Sequence, residues 1–340
     1  MPPLARLCLT LGVSTLGVAA FRALSLPLPF LLGPMFACLL AALGGAKLKG
    51  TPAISDLMRT VLGVAVGASI TPELMGRLPE MGLSVALVPV FVALIGLVGY
   101  PYFRRVCRFD SPTAYYCAMP GGLQDMIVFG TEAGANPRAL SLVHATRVLA
   151  IVSIMPLILT LGWDMSFDAP PGAAAVDIPP LELALMVFCG LAGWRIAAWL
   201  KIFGASILGP LALSAAFSLA GLITHRPPAE AILAAQFFIG LGVGVKYVGV
   251  TVDELRRVVL ASLGFCVLLA GLSVAFAEAV FMAGVAPQVE ALLAFAPGGQ
   301  AEMAVLAIVA GVDVAYVVTH HLVRLVIVIL GAPIAARLTR

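Results

Sequence analysis

The sequence predicts an all-α polytopic membrane protein. About ten transmembrane helices are expected in two inverted repeats, each with a Pro-Gly-Gly broken helix or re-entrant hairpin. Three observations lead to this prediction. Of the 340 residues, 61% are hydrophobic and only 11% are charged, whereas a soluble domain carries about 25% charged residues. An unusual motif recurs at a fixed offset, and the basic loop residues change position between the two halves.

The apolar composition decides the environment of the chain. A mean hydropathy of +1.09 leaves too little polar surface to face water, so a lipid bilayer is the expected surrounding. Each helical crossing needs about 20 predominantly apolar residues, and the alternating polarity of a barrel strand is absent. The basic residues stand at segment ends and form no cluster that would bind nucleic acid. These features together predict a helical bundle in a membrane.

Twelve apolar elements follow one another along the chain. Those of the first half are expected at 4–24, 28–46, 53–71, 80–103, 112–134 and 138–162. Those of the second half are expected at 181–200, 204–222, 228–248, 257–283, 290–311 and 313–337. This organisation gives a first membrane repeat at 1–162, a proline- and glycine-rich acidic linker at 163–180, and a second repeat at 181–340. The first element could also be a signal peptide, but its counterpart at 181–200 lies inside the chain and favours a mature membrane helix.

The clearest motif is Pro-Gly-Gly, which occurs twice with the same companions. Over forty aligned residues without a gap, 119–158 against 296–335, ten positions are identical. The matched residues with special backbone or polar chemistry are Pro120, Gly121, Gly122, Gly134, His144, Arg147 and Pro156, paired with Pro297, Gly298, Gly299, Gly311, His321, Arg324 and Pro333. In so apolar a chain matched leucines would mean little, but matched residues of these types predict an internal duplication.

Basic loop residues predict the orientation, because short cytoplasmic loops are enriched in lysine and arginine. In the first half they follow the second and fourth elements, at Lys47, Lys49, Arg104, Arg105 and Arg108. In the second half they follow the first and third elements, at Lys201, Arg256 and Arg257. If only five of the six elements cross in each half, the second half is inverted, and all these loops and both termini are cytoplasmic.

The fifth element of each half is the one expected not to cross. Proline and paired glycine break a helix and leave backbone N–H and C=O groups without partners. In a membrane such a break is tolerated only where it is buried in protein or lines a polar cavity. Each Pro-Gly-Gly element is therefore expected to be a re-entrant hairpin or a pair of half-helices, and the two copies should enter from opposite faces.

These breaks supply the candidate binding groups. A half-helix that starts after Pro-Gly-Gly points free N–H groups and a partial positive charge into the bundle, while exposed carbonyls could coordinate Na⁺. The alternative is a packing kink without a ligand. The candidate substrate-binding residues are Gly121, Gly122, Gln124, Gly298, Gly299, Gln300, Arg147 and Arg324.

The candidates for ion coupling are Asp125, Glu302, His144 and His321. An ionised group at membrane depth costs about 2.5–3.5 kcal/mol on insertion scales and indicates function by default. The two acids could carry a proton, or could only complement the dipole of their half-helix. Each histidine lies three residues before Arg147 or Arg324 and shares its helix face, and histidine titrates near neutrality. Each arginine is expected to find one of these carboxylates or an anionic ligand.

These motifs resemble the AbrB family of bacterial inner-membrane proteins. The residues that carry the resemblance are Leu32-Gly33-Pro34-Met35, Pro120 to Met126 (PGGLQDM), His144 to Arg147 (HATR), Ala294 to Met303 (AFAPGGQAEM) and His321 to Arg324 (HLVR). Gln300 departs from the pattern, because a small or apolar residue is expected there. The resemblance implies a multi-pass protein of the bacterial inner membrane with a link to regulation of gene expression. The family is distinct from the soluble DNA-binding protein of the same name.

Three function classes compete. Inverted repeats, opposed breaks and buried ionisable residues favour a secondary transporter of a small anionic or zwitterionic molecule coupled to H⁺ or Na⁺, with an indirect effect on gene expression. The alternative is a membrane-embedded sensor or regulator that acts through a partner. The third class is an ammonia monooxygenase, a label that members of the family also carry. We do not expect it to apply, because the four histidines form no cluster of copper ligands.

Several expectations follow for partners and chemistry. We expect no enzymatic activity, no catalytic residue, no metal site and no cofactor. The expected partners are the lipid bilayer and a small-molecule substrate, without direct contact to nucleic acid, and a homodimer is a possible assembly.

Overall fold

The computed structural model describes residues 2–167, 170–202 and 204–336, and the side chains at 73–75, 77, 78, 124 and 333 lie outside the described set. Within these ranges the chain is helical and has no strand. The helices of the first half are α1 (Pro3–Ala23), α2 (Pro29–Leu43), α3 (Pro52–Gly67), α4 (Pro72–Pro101), α5 (Ser111–Ala118), α6 (Leu123–Glu132) and α7 (Pro137–Trp163). Those of the second half are α8 (Pro180–Trp199), α9 (Ala205–Leu219), α10 (Ala229–Gly244), α11 (Val252–Glu254), α12 (Leu260–Met282), α13 (Gln288–Phe295), α14 (Gln300–Val309) and α15 (Val314–Ala335).

Local sequence signals start several of these helices. Proline stands in the first turn of α1, α2, α3 and α8, where its missing N–H costs no hydrogen bond. Asp110 caps α5 by accepting a hydrogen bond of 2.9 Å from the Thr113 N–H. Thr251 and Glu254 form a reciprocal capping box at α11. The helix starts therefore follow from residues that satisfy or dispense with the first backbone donors.

Helix boundaries recur at the offset of the Pro-Gly-Gly motif. Pro120 and Pro297 lie 177 residues apart (297 − 120). At the same offset, α3 and α10 begin and end at matching positions, and so do α5 with α13 and α6 with α14. The predicted fifth elements at 112–134 and 290–311 are each divided into two short helices, with the Pro-Gly-Gly residues in the gap.

Seven of the described helices are long and apolar enough to cross a membrane: Pro3–Ala23, Pro79–Val106, Pro137–Trp163, Pro180–Trp199, Ala229–Tyr247, Val252–Met282 and Val314–Ala332. The protein is thus a multi-pass membrane protein by the length and composition of its helices. The expected ten crossings would add α2, α3 and α9, which have 15, 16 and 15 residues. These are shorter than the roughly 20 residues of an ordinary crossing, so the count of ten stays a prediction.

The chain divides into two compact units, and each is built from both halves of the sequence. Unit 1 comprises Met1–Leu78, Ile158–Gly249 and Ala304–Ala315. In this unit α1 packs on α2, and α8 on α9, through facing glycines. The pairs are Gly17 with Gly33 and Gly193 with Gly209, where a Cβ on either member would overlap the backbone of the other. Small residues at such positions let membrane helices approach closely.

In unit 1 the third helix of each half packs against the second helix of the other half. Four glycines carry this contact, because a side chain on any of them would meet the facing helix backbone. The contacts are Gly63 with Ile207, Gly67 with Leu211, Gly240 with Leu31 and Gly244 with Met35. Residue numbers rise together along both pairs, so α3 runs parallel to α9 and α10 runs parallel to α2.

Unit 2 comprises Pro79–Leu157, Val250–Met303 and Tyr316–Arg340. Within it α4 and α12 run antiparallel. Phe91 contacts Phe276 with ring centroids 5.0 Å apart, and the Tyr102 hydroxyl donates to the Ala261 carbonyl at 2.9 Å. The residue number rises on α4 as it falls on α12, which fixes the relative direction of these two helices.

The first Pro-Gly-Gly element folds back as a hairpin. The Asn136 N–H donates to Thr113 Oγ1 at 2.9 Å, so the residue after α6 lies beside the start of α5. A Cβ at Gly130 would lie 3.3 Å from Tyr116 Cβ, whereas in a straight helix these residues would be about 21 Å apart at 1.5 Å per residue. The two half-helices α5 and α6 of the first copy therefore lie side by side.

Candidate functional site

Both breaks have the same extended backbone. At the end of α5 Met119 has φ −66° and ψ 130°, and at the end of α13 Ala296 has φ −62° and ψ 130°. A following proline disfavours the helical conformation of the residue before it, so Pro120 and Pro297 end these helices where they do. Each proline also lacks the N–H that would otherwise continue the helix hydrogen bonds.

Each histidine replaces the donor that a proline removes. In an uninterrupted helix the Tyr116 carbonyl would accept from residue 120 and the Leu293 carbonyl from residue 297, and both positions are proline. Instead the His144 Nε2–H donates to Tyr116 O at 3.0 Å, and the His321 Nε2–H donates to Leu293 O at 2.9 Å. Because a carbonyl can only accept, Nε2 carries the proton in both rings. Each Nδ1 is then an acceptor, and it is buried without a hydrogen-bond partner.

Each arginine donates to two carbonyls of the adjacent break. Arg147 reaches Met119 O at 3.2 Å and Gly121 O at 3.0 Å. Arg324 reaches the corresponding carbonyls, Ala296 O at 2.9 Å and Gly298 O at 2.8 Å. Of the two expected partners, a carboxylate or an anionic ligand, no carboxylate of the described residues is hydrogen-bonded to either guanidinium group, and backbone oxygens accept from both. Carbonyls exposed at the breaks were expected to be able to coordinate Na⁺, but these four already accept from a positively charged guanidinium group.

The two acids lie over the starts of the second half-helices. Asp125 and Glu302 stand in the first turns of α6 and α14 and are 7% and 8% exposed. A Cβ at Gly122 would overlap Asp125 Oδ2, and a Cβ at Gly299 would overlap Glu302 Oε2. Each carboxylate thus complements the positive end of its own helix, and glycine before that helix leaves the space it occupies.

The remaining predicted binding residues surround the same breaks. Gly121 and Gly298 have no room for a side chain, because a Cβ there would come within 2.6 Å of the Met126 or Met303 Cε. Gln300 begins α14, and its Nε2 is buried without a hydrogen-bond partner. Gln124 belongs to α6, but its side chain lies outside the described residues.

The two breaks are brought near each other inside unit 2. A Cβ at Gly122 would lie 3.7 Å from Leu325 Cδ1 of α15, so the last helix of the second half lies against the first break. Among the residues that the structure describes, neither Arg147 nor Arg324 has a carboxylate at ion-pair distance, and the Nε–H of each is buried without a hydrogen-bond acceptor.

Comparison with known proteins agrees with these motifs. The family described as "Transition state regulatory protein AbrB" matches residues 30–340. The chain belongs to the AbrB family. It is 26% identical over 322 residues to "Uncharacterized protein YhjN" of Bacillus subtilis (strain 168), covering 87% of this chain and 83% of that protein. It is 24% identical over 328 residues to "Putative regulator AbrB" of Escherichia coli (strain K12), covering 93% and 91%.

One buried group of this AbrB family protein has no counterpart in the other half. His320 is 1% exposed; its Nδ1–H donates to Tyr316 O at 2.8 Å, and its Nε2 lies 3.0 Å from Ser84 Oγ. The position 177 residues earlier is Val143, so comparing the two halves draws no attention to it. Only the packing of α15 against α4 reveals this contact. In the described part of the chain, no group of three His, Cys, Asp or Glu residues could hold a metal ion.

Proposed function

We propose that this AbrB family protein is a secondary transporter of the bacterial inner membrane that moves a small anionic or zwitterionic molecule together with H⁺ or Na⁺. The observation that carries the proposal is the pair of breaks in unit 2, where Arg147 and Arg324 are buried and no carboxylate of the described residues lies at ion-pair distance from them. Broken helices at opposed positions are where transporters with repeated halves bind substrate and coupling ions. Buried cations beside helix starts suit an acidic group of the substrate.

An inverted arrangement of the halves is part of the proposal. The fourth helices of the two halves, α4 and α12, run antiparallel, as inversion requires. In unit 1, α3 runs parallel to α9 and α10 runs parallel to α2. This reciprocal pattern is the one expected of two halves related by a two-fold axis. Cysteine placed at Lys47 and at Lys201 should be labelled from the same side, the cytoplasm. Labelling from opposite sides would exclude the inversion.

Protons are the favoured coupling ion. Cations such as Na⁺ prefer oxygen ligands, but Arg147 and Arg324 already donate to four carbonyls of the breaks. The carboxylates Asp125 and Glu302 remain as groups that can gain and lose a proton at membrane depth. His144 and His321 are poor candidates, because Nε2–H is committed to a carbonyl and protonation of Nδ1 would add charge beside an arginine.

Reconstitution in liposomes tests the transport function. Purified protein should accumulate a labelled organic anion or amino acid when a proton gradient is imposed. Asp125→Asn combined with Glu302→Gln should abolish that dependence. Glu290→Gln is the matched control, because Glu290 also lies in the first turn of a half-helix of unit 2 but away from the break. Absence of gradient-driven accumulation across a broad panel of anions and amino acids would refute the proposal.

The second candidate is a membrane-embedded regulator. It is favoured by the family description and by the name of the Escherichia coli relative. We propose that a regulatory effect arises indirectly, by removal of an effector through transport, without enzymatic activity or direct binding to nucleic acid. If the double variant at Asp125 and Glu302 leaves a regulatory phenotype intact, a sensor that acts through a partner becomes the better description. The oligomeric state, including a homodimer, can be measured on the same preparation.

A further inference from the structure

Two guanidinium groups, one from each half of the chain, are buried at the breaks of unit 2. Arg147 and Arg324 are 2% and 6% exposed, and neither has a carboxylate at ion-pair distance within the described ranges. Burying one unpaired charge is already strongly unfavourable. Two such charges of the same sign, one from each half, indicate a site that is completed by negative charge from a ligand.

The unused hydrogen-bonding groups of the two arginines and of Gln300 are donors. Arg147 Nε, Arg324 Nε and Gln300 Nε2 are all buried, and none has a hydrogen-bond partner among the described residues. An Arg guanidinium has five N–H donors and no acceptor, and it matches the geometry of carboxylates and phosphates. A ligand that meets both guanidinium groups therefore needs acceptor oxygens at two points. A single ammonium group, as in a zwitterion, would be repelled by both.

The positions beside the two helix starts are already occupied by negative charge from the protein. Asp125 lies over Gly122 and Glu302 lies over Gly299. Both acids are at the N-terminal ends of their helices, α6 and α14, where an external anion would bind. With both acids ionised, two carboxylates and two guanidinium groups sum to zero charge. With both acids protonated, the sum is +2. The site attracts an external anion strongly only in the second state.

Building on the proposed transport function, we infer that the substrate is a small dianion with two oxyanion groups, of the dicarboxylate class, and that it binds with two protons. One oxyanion lies at each break against Arg147 or Arg324, and one proton lies on each of Asp125 and Glu302. The loaded site is then neutral. The two protons enter from the side of uptake and leave with the substrate on the other side, so the cycle moves no net charge.

Proton linkage gives this inference a quantitative signature. If binding takes up two protons from carboxylates that are ionised in the free protein, the apparent Kd of the dianion falls about a hundredfold for each unit by which the pH falls. If binding takes up one proton the change is about tenfold per unit, and if none it is absent. Affinity for the dianion must rise as the pH falls, because protonation of the two acids removes the negative charges of the protein that compete with the ligand.

The test measures binding of three four-carbon probes that differ mainly in charge: succinate, its monomethyl ester and 4-aminobutyrate. The shift in melting temperature that each probe causes is measured on the purified full chain in detergent. The pH range is the one in which the two carboxylates are ionised in the free protein. Succinate should bind at least about tenfold more tightly than the other two probes, a difference of about 1.4 kcal/mol. A plot of the logarithm of the apparent Kd of succinate against pH should have a slope close to two. Asp125→Asn or Glu302→Gln alone should lower the slope to about one, and the double variant should bind succinate without pH dependence.

The outcomes separate this inference from the transport proposal. Glu290→Gln should keep the slope of the unmodified protein. Tighter binding of the monoester or of 4-aminobutyrate, no stabilisation by succinate, or a slope unchanged in the double variant would overturn the dianion inference. In that case gradient-driven uptake of another compound in liposomes would still support a transporter. Absence of all uptake would instead overturn the transport function itself.

Discussion

Replacing His144 and His321 tests whether these histidines stabilise the breaks by donating to the carbonyls of Tyr116 and Leu293. In His144→Leu the Tyr116 carbonyl loses its donor, and Pro120 cannot supply one. An unsatisfied buried hydrogen-bonding group costs about 1–3 kcal/mol. The same loss is expected at Leu293 in His321→Leu. The double variant should therefore lose about 2–6 kcal/mol if the two sites contribute independently.

Glutamine provides the matched control at each position. Its amide Nε2 carries N–H donors on a side chain of similar reach, so His144→Gln and His321→Gln should recover most of the loss. The free energy of unfolding is measured by titration with a denaturing detergent in mixed micelles. A leucine variant as stable as the glutamine variant, or a glutamine variant that loses as much as leucine, would refute the role of the histidine as carbonyl donor.

Three further predictions follow from the packing. Gly122→Ala and Gly299→Ala should displace the carboxylate of Asp125 or Glu302 and destabilise unit 2 by about 1–3 kcal/mol. Gly82→Ala in α4 is the control, because a Cβ there meets nothing within 4 Å, and it should be neutral or stabilising by about 0.5–1 kcal/mol. Unfolding by titration with a denaturing detergent distinguishes the two results. Cysteines at Phe91 and Phe276 should be joined by a short thiol cross-linker, while cysteines at Phe91 and Phe265 should not, and the reverse result would exclude antiparallel α4 and α12. Glu182→Leu should speed hydrogen exchange of the backbone at 220–228, because Glu182 accepts from the Thr224 and His225 N–H groups; unchanged exchange would show that this loop is held by other contacts.

Much of the fold could be predicted because the relevant signals are local. Apolar runs give the long helices, and Pro-Gly-Gly marks the gaps at 119–122 and 296–299. The glycines at 63, 67, 240 and 244 recur four residues apart, the spacing typical of close helix contacts in membranes, and they make such contacts in the structure. Proline ends a helix through its own ring and its missing N–H, so this feature needs no tertiary information.

The partners of the buried arginines could not be predicted in the same way. Sequence shows which side chains carry charge, and Asp125 and Glu302 were the obvious candidates for Arg147 and Arg324. The actual acceptors are backbone carbonyls, which are equally present at every residue and so leave no mark in the sequence. A count of lost donors would have helped, since each break removes one N–H and each half supplies one histidine.

The division into two units also has no local signal. Each unit combines segments from both halves, with α1–α3 and α8–α10 in one and most of α4, α7 and α15, together with α5, α6, α12 and α13, in the other. A search for domain boundaries along the chain instead finds the linker at 163–180. Long-range contacts such as that of His320 with Ser84 depend on this interleaving and become visible only in three dimensions.

The reciprocal glycine contacts bear on the origin of the chain. Gly63 meets Ile207 as Gly240 meets Leu31, which is the self-complementary surface of an isologous dimer. In contrast, within the described part of the chain His144 and Arg147 donate to carbonyls of their own half, as His321 and Arg324 do. A half-length ancestor would thus have carried a complete break with its donors, and two antiparallel copies would have supplied the rest of the contacts. Under the predicted duplication, divergence of the two copies accounts for His320 in one half and Val143 at the matching position of the other.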